Sequence, residues 1–474
     1  MQRALLCAGA ASKKCEGTSI AVMPDGNTPL PGRVAGVDGE GRPCRVRPCA
    51  QRPRPNELPP QLGSAPTGMS LAVFFKRGAF RWIERTRGTG PLQKMTPSIT
   101  STPPPIARRD VLLGIGAAAG LAACGRVDIA SRKRGVAVVG IGEHSLERVI
   151  PAILETQSCR LTGLVSSGVE KLNDVGTRFG VPVAGRYTYD NLEHIADNPD
   201  IDFVFVAVPN ALHAEFAIRA AQAGKHVLVE KPMAVSSDQC EAMLEASSIA
   251  GKFLAVAYRL QFDPRYREMQ RLALQRVFGM PKLMRADIGF PLPRDDWRLS
   301  DDLSGGVLME QGVYGVNAAC NLAGEQPVEV MAQQTKSDFA RFADVEESVF
   351  WSMQFANGAV AQCATSYTLR MNELRVDAVS GFMELAPAYS ADGLRGSSTA
   401  GAIGGADVNQ IALQLDDFAA CIENGVPPVH GSPAEGMRDV RVLAAIKDSL
   451  RTRRPIKIGS DTSLLLSPRE LGVA

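Results

Sequence analysis

The residues best suited to chemistry stand at the end of an apolar run. His226-Val-Leu-Val-Glu-Lys-Pro-Met233 closes on a carboxylate, an ammonium and a proline. Proline bars Lys231 from the α region and removes the next backbone donor. Lys231 is thereby presented at the end of a strand, where open α/β sheets bind ligands. A plain Glu230–Lys231 surface pair closing a strand is the competing reading. A second set follows in Asp296-Trp297-Arg298-Leu299 and in Ser304-Gly305-Gly306-Val307-Leu308-Met309-Glu310-Gln311-Gly312-Val313-Tyr314. Glu310 and Tyr314 are four apart, so a helix puts both on one face. A carboxylate and a phenol aimed together near a lysine make a proton-transfer set. Pattern alone equally permits a core tyrosine and a solvated glutamate.

A third group of residues suits phosphate rather than protons. Gly135-Val-Ala-Val-Val-Gly-Ile-Gly-Glu-His-Ser-Leu146 is a buried strand entering a glycine turn, and helical spacing continues through Leu154. Strand, glycines and helix in that order are the context of the dinucleotide fingerprint. Gly140 permits the tight turn, Ile141 lies between the glycines, and Gly142 lets a pyrophosphate approach the backbone. Ser145 stands where a small residue lets the helix pack on the strand. Glu143 is awkward there, since its carboxylate opposes phosphates. The second strand, Arg160 to Val165, ends in Ser166-Ser167-Gly168 without the acidic residue that binds the ribose hydroxyls of NAD. Hydroxyls and Lys171 suit a 2′-phosphate, so NADP is the expected cofactor and NAD the alternative. A helix-start serine cap with a solvated lysine reads the same residues without a ligand.

These groups need a scaffold, and the pattern supplies one. A short helix is expected over Asn191 to Ala196 and a strand over Ile201 to Val208. A helix carrying His213 follows, then the strand to Glu230-Lys231-Pro232, a helix from Ser237 to Ala250 and a strand from Phe253 to Tyr258. Strands alternating with helices give an α/β, doubly wound parallel sheet over residues 133–258. After Arg259 a helix from Pro264 to Gln275 leads into β-type segments: Lys282 to Ile288, Val328 to Gln334, Glu347 to Phe355, Val360 to Thr368 and Leu374 to Val379. Helices Asn409 to Glu423 and Ser432 to Ala445 close this part. Residues 259–460 are thus expected to form an α+β domain with a large, mostly antiparallel open sheet, helices on one face and a partner subunit on the other. Residues 461–474 read as a tail.

The 474-residue chain has a formal net charge of +2, which argues against a nucleic-acid surface. No apolar run is long enough to make a spanning helix of the mature chain. The first 105 residues hold 15 of the 31 prolines and 4 of the 10 cysteines with little apolar periodicity. Residues 1–94 read as a disordered leader or as sequence upstream of the true initiator, Met95, the second reading being preferred. Residues 95–124 read as an export signal, with Arg108-Arg109 before a short Gly/Ala-rich run to Ala123. They resemble a twin-arginine signal peptide. Leu121-Ala122-Ala123-Cys124 resembles a lipobox, whose cysteine would carry a lipid tether; an ordinary cleavage site beside a chance cysteine is the alternative. The expected location is periplasmic. Cys159, Cys240, Cys320, Cys363 and Cys421 are an odd number without a CxxC pair, so no metal site or disulfide framework is expected.

From about Gly135 to Ile458 the chain resembles the glucose–fructose oxidoreductase, inositol dehydrogenase and rhizopine catabolism (Gfo/Idh/MocA) family, and within it the glucose–fructose oxidoreductase branch. The stretches that carry this are Gly140 to Leu146, Leu164-Val-Ser166 with Glu170-Lys171, Pro209-Asn-Ala-Leu-His213 through Arg219, Gly224 to Met233, Tyr258-Arg259, Trp297-Arg298-Leu299, Gly305 to Glu325 and Glu435-Gly-Met-Arg-Asp-Val-Arg441. The resemblance implies a Rossmann domain followed by an antiparallel α+β domain, assembled as a homodimer or homotetramer through the open sheet. It implies a hydride exchanged between a nicotinamide and a sugar or polyol. Lys231 would be the acid/base or substrate-orienting ammonium, and Tyr314 the proton-transfer tyrosine. Pro209, Asn210, His213, Glu230, Arg259, Trp297 and Arg298 would line the nicotinamide side. Lys231 is expected to have its pKa lowered by desolvation and an oxidised nicotinamide. Two departures stand out. Glu310 occupies the branch's aspartate position, one methylene longer, which can shift substrate choice. About ten residues separate Cys124 from the first strand, where the glucose–fructose enzymes have a longer arm over NADP, which argues against a permanently held cofactor. The rival readings are a redox-neutral NAD-dependent glycosidase and a non-catalytic sugar- or nucleotide-binding lipoprotein.

Overall fold

A computed structural model describes residues 132–293 and 296–459. Met95, the arginine pair and Cys124 lie outside the described residues, as does the expected tail. Two sheets organise the described part. The first has six parallel strands: β1 (Arg134–Val139), β2 (Cys159–Ser166), β3 (Arg186–Thr188), β4 (Phe203–Val206), β5 (His226–Val229) and β6 (Leu254–Val256). Their order is β3-β2-β1-β4-β5-β6, so the chain reverses direction across the sheet between β1 and β4. That reversal opens a crevice at the carboxyl ends of those two strands. Near-continuous Val, Phe and Leu make the central strands β1, β4 and β5 apolar on both faces, as a sheet covered on both sides requires. Helices α1 (Ile150–Glu155) and α2 (Val169–Arg178) cover one face; α3 (His213–Gln222) and α4 (Ser237–Ala250) cover the other. In α3 the small residues Ala217, Ala220 and Ala221 are all buried, as their spacing predicts.

Local chemistry departs from the expected pattern at two points. The helix after the glycine turn begins with a π turn, Ser145–Val149, before α1. Pro151, near the start of α1, supplies no backbone N–H, and a locally wider turn tolerates that loss. The segment expected as a short helix over Asn191 to Ala196 is a 3₁₀ run, Tyr189–Asp197, with Asn191 off helical geometry.

The second sheet has nine strands: β7 (Pro281–Gly289), β8 (Pro327–Thr335), β9 (Ser348–Phe355), β10 (Val360–Ser366), β11 (Met371–Ala378), β12 (Gly381–Leu385), β13 (Gly396–Ser398), β14 (Gly401–Ile403) and β15 (Ile456–Lys457). Their order is β14-β13-β12-β11-β7-β10-β9-β8-β15. Every pairing is antiparallel except β7 with β10. The fold is therefore an α/β Rossmann-type sheet plus a mostly antiparallel open sheet, as expected. β12 to β15 have no counterpart in the sequence reading. β13 to β15 are two or three residues long, too short for alternation to register. Helices α5 (Pro264–Leu274), α6 (Val313–Ala323) and α8 (Pro433–Thr452) cover the inner face, whose Met284, Ala286, Val349, Met353, Leu374 and Val376 are buried. The remaining helix, α7 (Gln410–Asn424), returns to the first sheet. Its Phe418 ring meets that of Phe203 edge-on at 5.2 Å. The helix expected to close the second part thus completes the first core, because its Ile411, Leu415 and Phe418 stripe fits the uncovered strand ends there.

Among the described residues no helix is long and apolar enough to cross a membrane. Cys159, Cys240, Cys320 and Cys363 are buried and Cys421 is half-buried, all as free thiols; the buried four serve as small core residues.

Candidate active site

The turn after β1 shows why its glycines are glycines. Gly140 has φ +91°, and a Cβ there would lie 2.3 Å from the carbonyl oxygen of Ala207, at the exit of β4. Gly142 has no heavy atom within 4 Å of the same construction; its openness faces the crevice, not the protein. Ser145 is fully buried and donates from Oγ to the Gly140 carbonyl at 2.6 Å. It braces the turn from beneath rather than lining the crevice. We expect Gly140→Ala to lose at least about 2 kcal/mol of stability through the disfavoured φ and the backbone clash. Gly142→Ala should unfold like the unaltered chain and lose only dinucleotide affinity. Urea titration and cofactor titration separate the two outcomes.

From this turn a cleft of about 1340 Å³ runs along the carboxyl edge of the first sheet to the second. Of the residues singled out from sequence, all but Ser145 line it: Gly140, Ile141, Gly142, Ser166, Lys171, Pro209, Asn210, His213, Glu230, Lys231, Arg259, Trp297, Arg298, Glu310 and Tyr314. At the β2 end stand Ser166 and an exposed Lys171. Asn210 is 2% exposed and donates to the Ser304 carbonyl at 2.8 Å, pinning the Ser304–Gly306 loop to the β4 exit. Gly306 has φ +92°, and a Cβ on Gly305 would meet the Arg298 carbonyl at 2.3 Å. The glycine pair therefore lets the loop fold back on Arg298 before Glu310.

The charged centre lies where the sheets meet. Lys231 Nζ is 3.2 Å from Glu310 Oε1 and donates to the Glu310 carbonyl at 3.0 Å. The same Oε1 is 3.4 Å from Arg298 Nε. Arg298 also grips Asp296 at 2.9 Å and lies over the Trp297 ring. Glu310 belongs to a π turn, Leu308–Gly312, that runs into α6 carrying Tyr314. Lys231 Nζ sits 5.1 Å from the centroid of the Tyr314 ring, and the Arg259 guanidinium 5.5 Å. Arg259 spends its donors on the Tyr389 and Ser390 carbonyls and on Gln410, which fixes the cation against the tyrosine ring.

The electrostatics correct one expectation. Burial works to lower the Lys231 pKa, as foreseen, but Glu310, Tyr314 and Glu230 together outweigh it and the pKa is raised. Burial likewise acts to raise the Glu310 pKa, and Lys231 and Arg298 bring it below the usual carboxylate range. Lys231 and Glu310 are thus held as an ion pair, because each supplies the charge the other needs in a desolvated site.

Sequence reasoning missed His144. Its Nε2 lies 2.9 Å from Glu230 Oε1, joining the glycine turn to the β5 exit across 86 positions of chain. A histidine beside Gly142 was the available signal. Burial would raise the Glu230 pKa, yet His144, Lys231 and His213 bring it down to about 2. A depressed carboxyl pKa gives stability that is present above its ordinary value of 4.5 and lost as pH falls through 2. Unfolding free energy measured by urea titration should therefore fall across that window. His144→Gln should move the loss to higher pH.

Residues 134–258 match the Gfo/Idh/MocA oxidoreductase family, NAD-binding Rossmann fold, and residues 266–382 match the Gfo/Idh/MocA C-terminal domain. The chain is 27% identical over 335 residues to D-xylose 1-dehydrogenase [NADP(+)] of Haloarcula marismortui, covering 68% of this chain and 92% of that one. It is 27% identical over 239 residues to 1,5-anhydro-D-fructose reductase of Ensifer adhaerens, covering 50% of this chain and 70% of the other. Aldose-aldose oxidoreductase from Caulobacter crescentus, solved with glycerol, is 37% identical with a TM-score of 0.65, covering 69% of this chain and 100% of that one. Both matched domains, the strand order and the full-length structural relative agree, and the chain belongs to the Gfo/Idh/MocA family of oxidoreductases.

Proposed function

We propose that this protein is an NADP-dependent oxidoreductase acting on a CH–OH group of a sugar or polyol. One observation carries the reading: a single cleft joins the Gly140–Gly142 turn to the Lys231–Glu310–Tyr314 cluster. The residues present fit a dinucleotide. Gly142 leaves open space at the start of an eleven-residue helical run, Ser145–Glu155, where backbone N–H groups attract phosphate. Ser166 and Lys171 stand where a 2′-phosphate would lie, with no carboxylate at the end of β2. The relatives support this choice: D-xylose 1-dehydrogenase [NADP(+)] carries the cofactor in its name. A bound nicotinamide supplies the acceptor or donor of hydride.

The chain's own part is placement and proton handling. The Tyr314 hydroxyl has no hydrogen-bond partner among the described residues, so it is free to exchange the proton of a substrate hydroxyl. Lys231 is held charged and donates to the oxygen on which charge develops. Glu310 aims Lys231 and, with Arg298, offers acceptors and donors to neighbouring hydroxyls. Purified protein should show NADP by absorbance and mass spectrometry and should reduce NADP with an aldose such as xylose or glucose. A protein that binds neither NADP nor NAD would refute the reading.

Export by the twin-arginine route, with lipid at Cys124, belongs to the same proposal and rests on the sequence pattern Arg108-Arg109 to Cys124. Mass spectrometry of the membrane fraction from the native host tests it. A second copy covering the open sheet is favoured by the outer face of β7 and β11. There Asp287 stands directly opposite Glu373, and Arg285 opposite Arg375. Burial and Glu373 push the Asp287 carboxyl up. Like charges directly opposite destabilise a sheet; Asp377 already meets both arginines, so the carboxylate pair is what a two-fold partner would compensate. Sedimentation as a monomer would overturn this.

A further inference from the structure

His213 is expected from its motif to meet the cofactor, and the structure gives it other work. It begins α3, is 1% exposed, and has a backbone carbonyl within reach of each ring nitrogen; burial lowers its pKa, and the one N–H of the neutral ring belongs to Nδ1, which makes the shorter contact. Nδ1 is 2.7 Å from the carbonyl of Pro232 and Nε2 is 3.0 Å from the carbonyl of Val208. Those carbonyls belong to the exits of β5 and β4. The first exit carries Lys231, and the second carries Pro209 and Asn210. Neither nitrogen is left to face a ligand.

Resting on the reading of Lys231 as part of the active site, we propose that His213 is a positioning residue for Lys231, acting through its Nδ1 bond to the Pro232 carbonyl. The Lys231 ammonium must reach both the Glu310 carbonyl and its carboxylate. Glu230 N–H still donates to the Val206 carbonyl at 2.9 Å, and the backbone leaves the sheet at Lys231, which has no ladder partner. The His213–Pro232 bond anchors that unladdered segment one residue past the lysine. It does so from α3, which packs on β5 and α4. A displacement of about 1 Å at such a group is enough to cost roughly 10²-fold in rate. Nε2, without a proton in this tautomer, lies beside the Val208 carbonyl and does not touch the lysine segment.

The two nitrogens can be tested separately. An asparagine amide nitrogen reproduces Nδ1, and a glutamine amide nitrogen reproduces Nε2. His213→Asn should keep kcat within about threefold. His213→Gln should lose kcat by roughly 10²-fold with NADP affinity unchanged. A readout independent of turnover uses ¹³C-dimethylated lysine followed by NMR. The raised Lys231 pKa should persist in His213→Asn and fall toward the ordinary lysine value in His213→Gln. Equal losses in the two variants, tracking thermal stability, would reduce His213 to a packing residue and overturn the proposal. If the unaltered protein turns over no sugar while the Lys231 titration still separates the variants, the catalytic reading fails and the positioning role stands.

Discussion

Lys231→Met is expected to lower kcat by about 10³-fold while NADP still binds, within the range by which positioned proton-handling groups act. The Lys231 side chain is 8% exposed. Its ammonium is anchored by two oxygens of Glu310 and faces the Tyr314 ring. An ammonium held this way, with its pKa raised, does not release its proton at neutral pH, so its contribution is to donate toward the substrate oxygen. Methionine keeps the volume and removes the charge and the donors. Lys231→Arg should rescue little, because a planar guanidinium cannot replace a compact ammonium between a carbonyl and a carboxylate. Steady-state kinetics with an aldose, together with cofactor titration by fluorescence, check both statements. Near-normal turnover in Lys231→Met would remove the lysine from the mechanism.

Glu310→Gln is expected to cost about 3 kcal/mol of stability and most of the activity. Removing one partner of a buried ion pair leaves the other charge uncompensated, and here one oxygen serves two cations, Lys231 at 3.2 Å and Arg298 at 3.4 Å. Arg298 keeps Asp296; Lys231 keeps only the backbone carbonyl. The sign of the pH effect follows. A raised lysine pKa gives stability that is complete below the ordinary value of 10.5 and disappears as pH rises through the folded value. The unaltered protein should therefore lose stability at alkaline pH above that value, and Glu310→Gln should lose less there because the largest raising influence is gone. Urea titrations across the alkaline range read this directly. Glu310→Asp should keep the charge but withdraw the carboxylate by a methylene. It should hold one cation well and the other poorly, and alter preference among aldoses by about tenfold.

The parts of this site that were legible in sequence are those whose physics is local. A strand, two glycines and a helix in succession need only neighbouring residues to make the turn at Gly140, where φ is +91°. Glu230-Lys231-Pro232 announces itself because opposite charges against a proline are costly at a strand end without a purpose. The four-residue spacing of Glu310 and Tyr314 predicts a shared face, and both line the cleft even though Glu310 sits in a π turn and Tyr314 in the α-helix that follows. Long-range partners left no such trace. Nothing near His144 names Glu230, nothing in α7 says that its Phe418 packs on Phe203, and a sequence motif cannot tell a histidine facing a ligand from one turned to a backbone carbonyl.

By itself, then, the sequence determined the alternation that makes a parallel sheet, the glycine turn and the lysine at the sheet's edge, since each depends on contacts a few residues apart. The tertiary structure alone decided the charge state of that lysine. Desolvation and ion pairing pull the Lys231 pKa in opposite directions, and which wins depends on how close Glu310 is brought from a different domain element. That distance, 3.2 Å, joins residues 79 positions apart and is written in no short stretch of the chain.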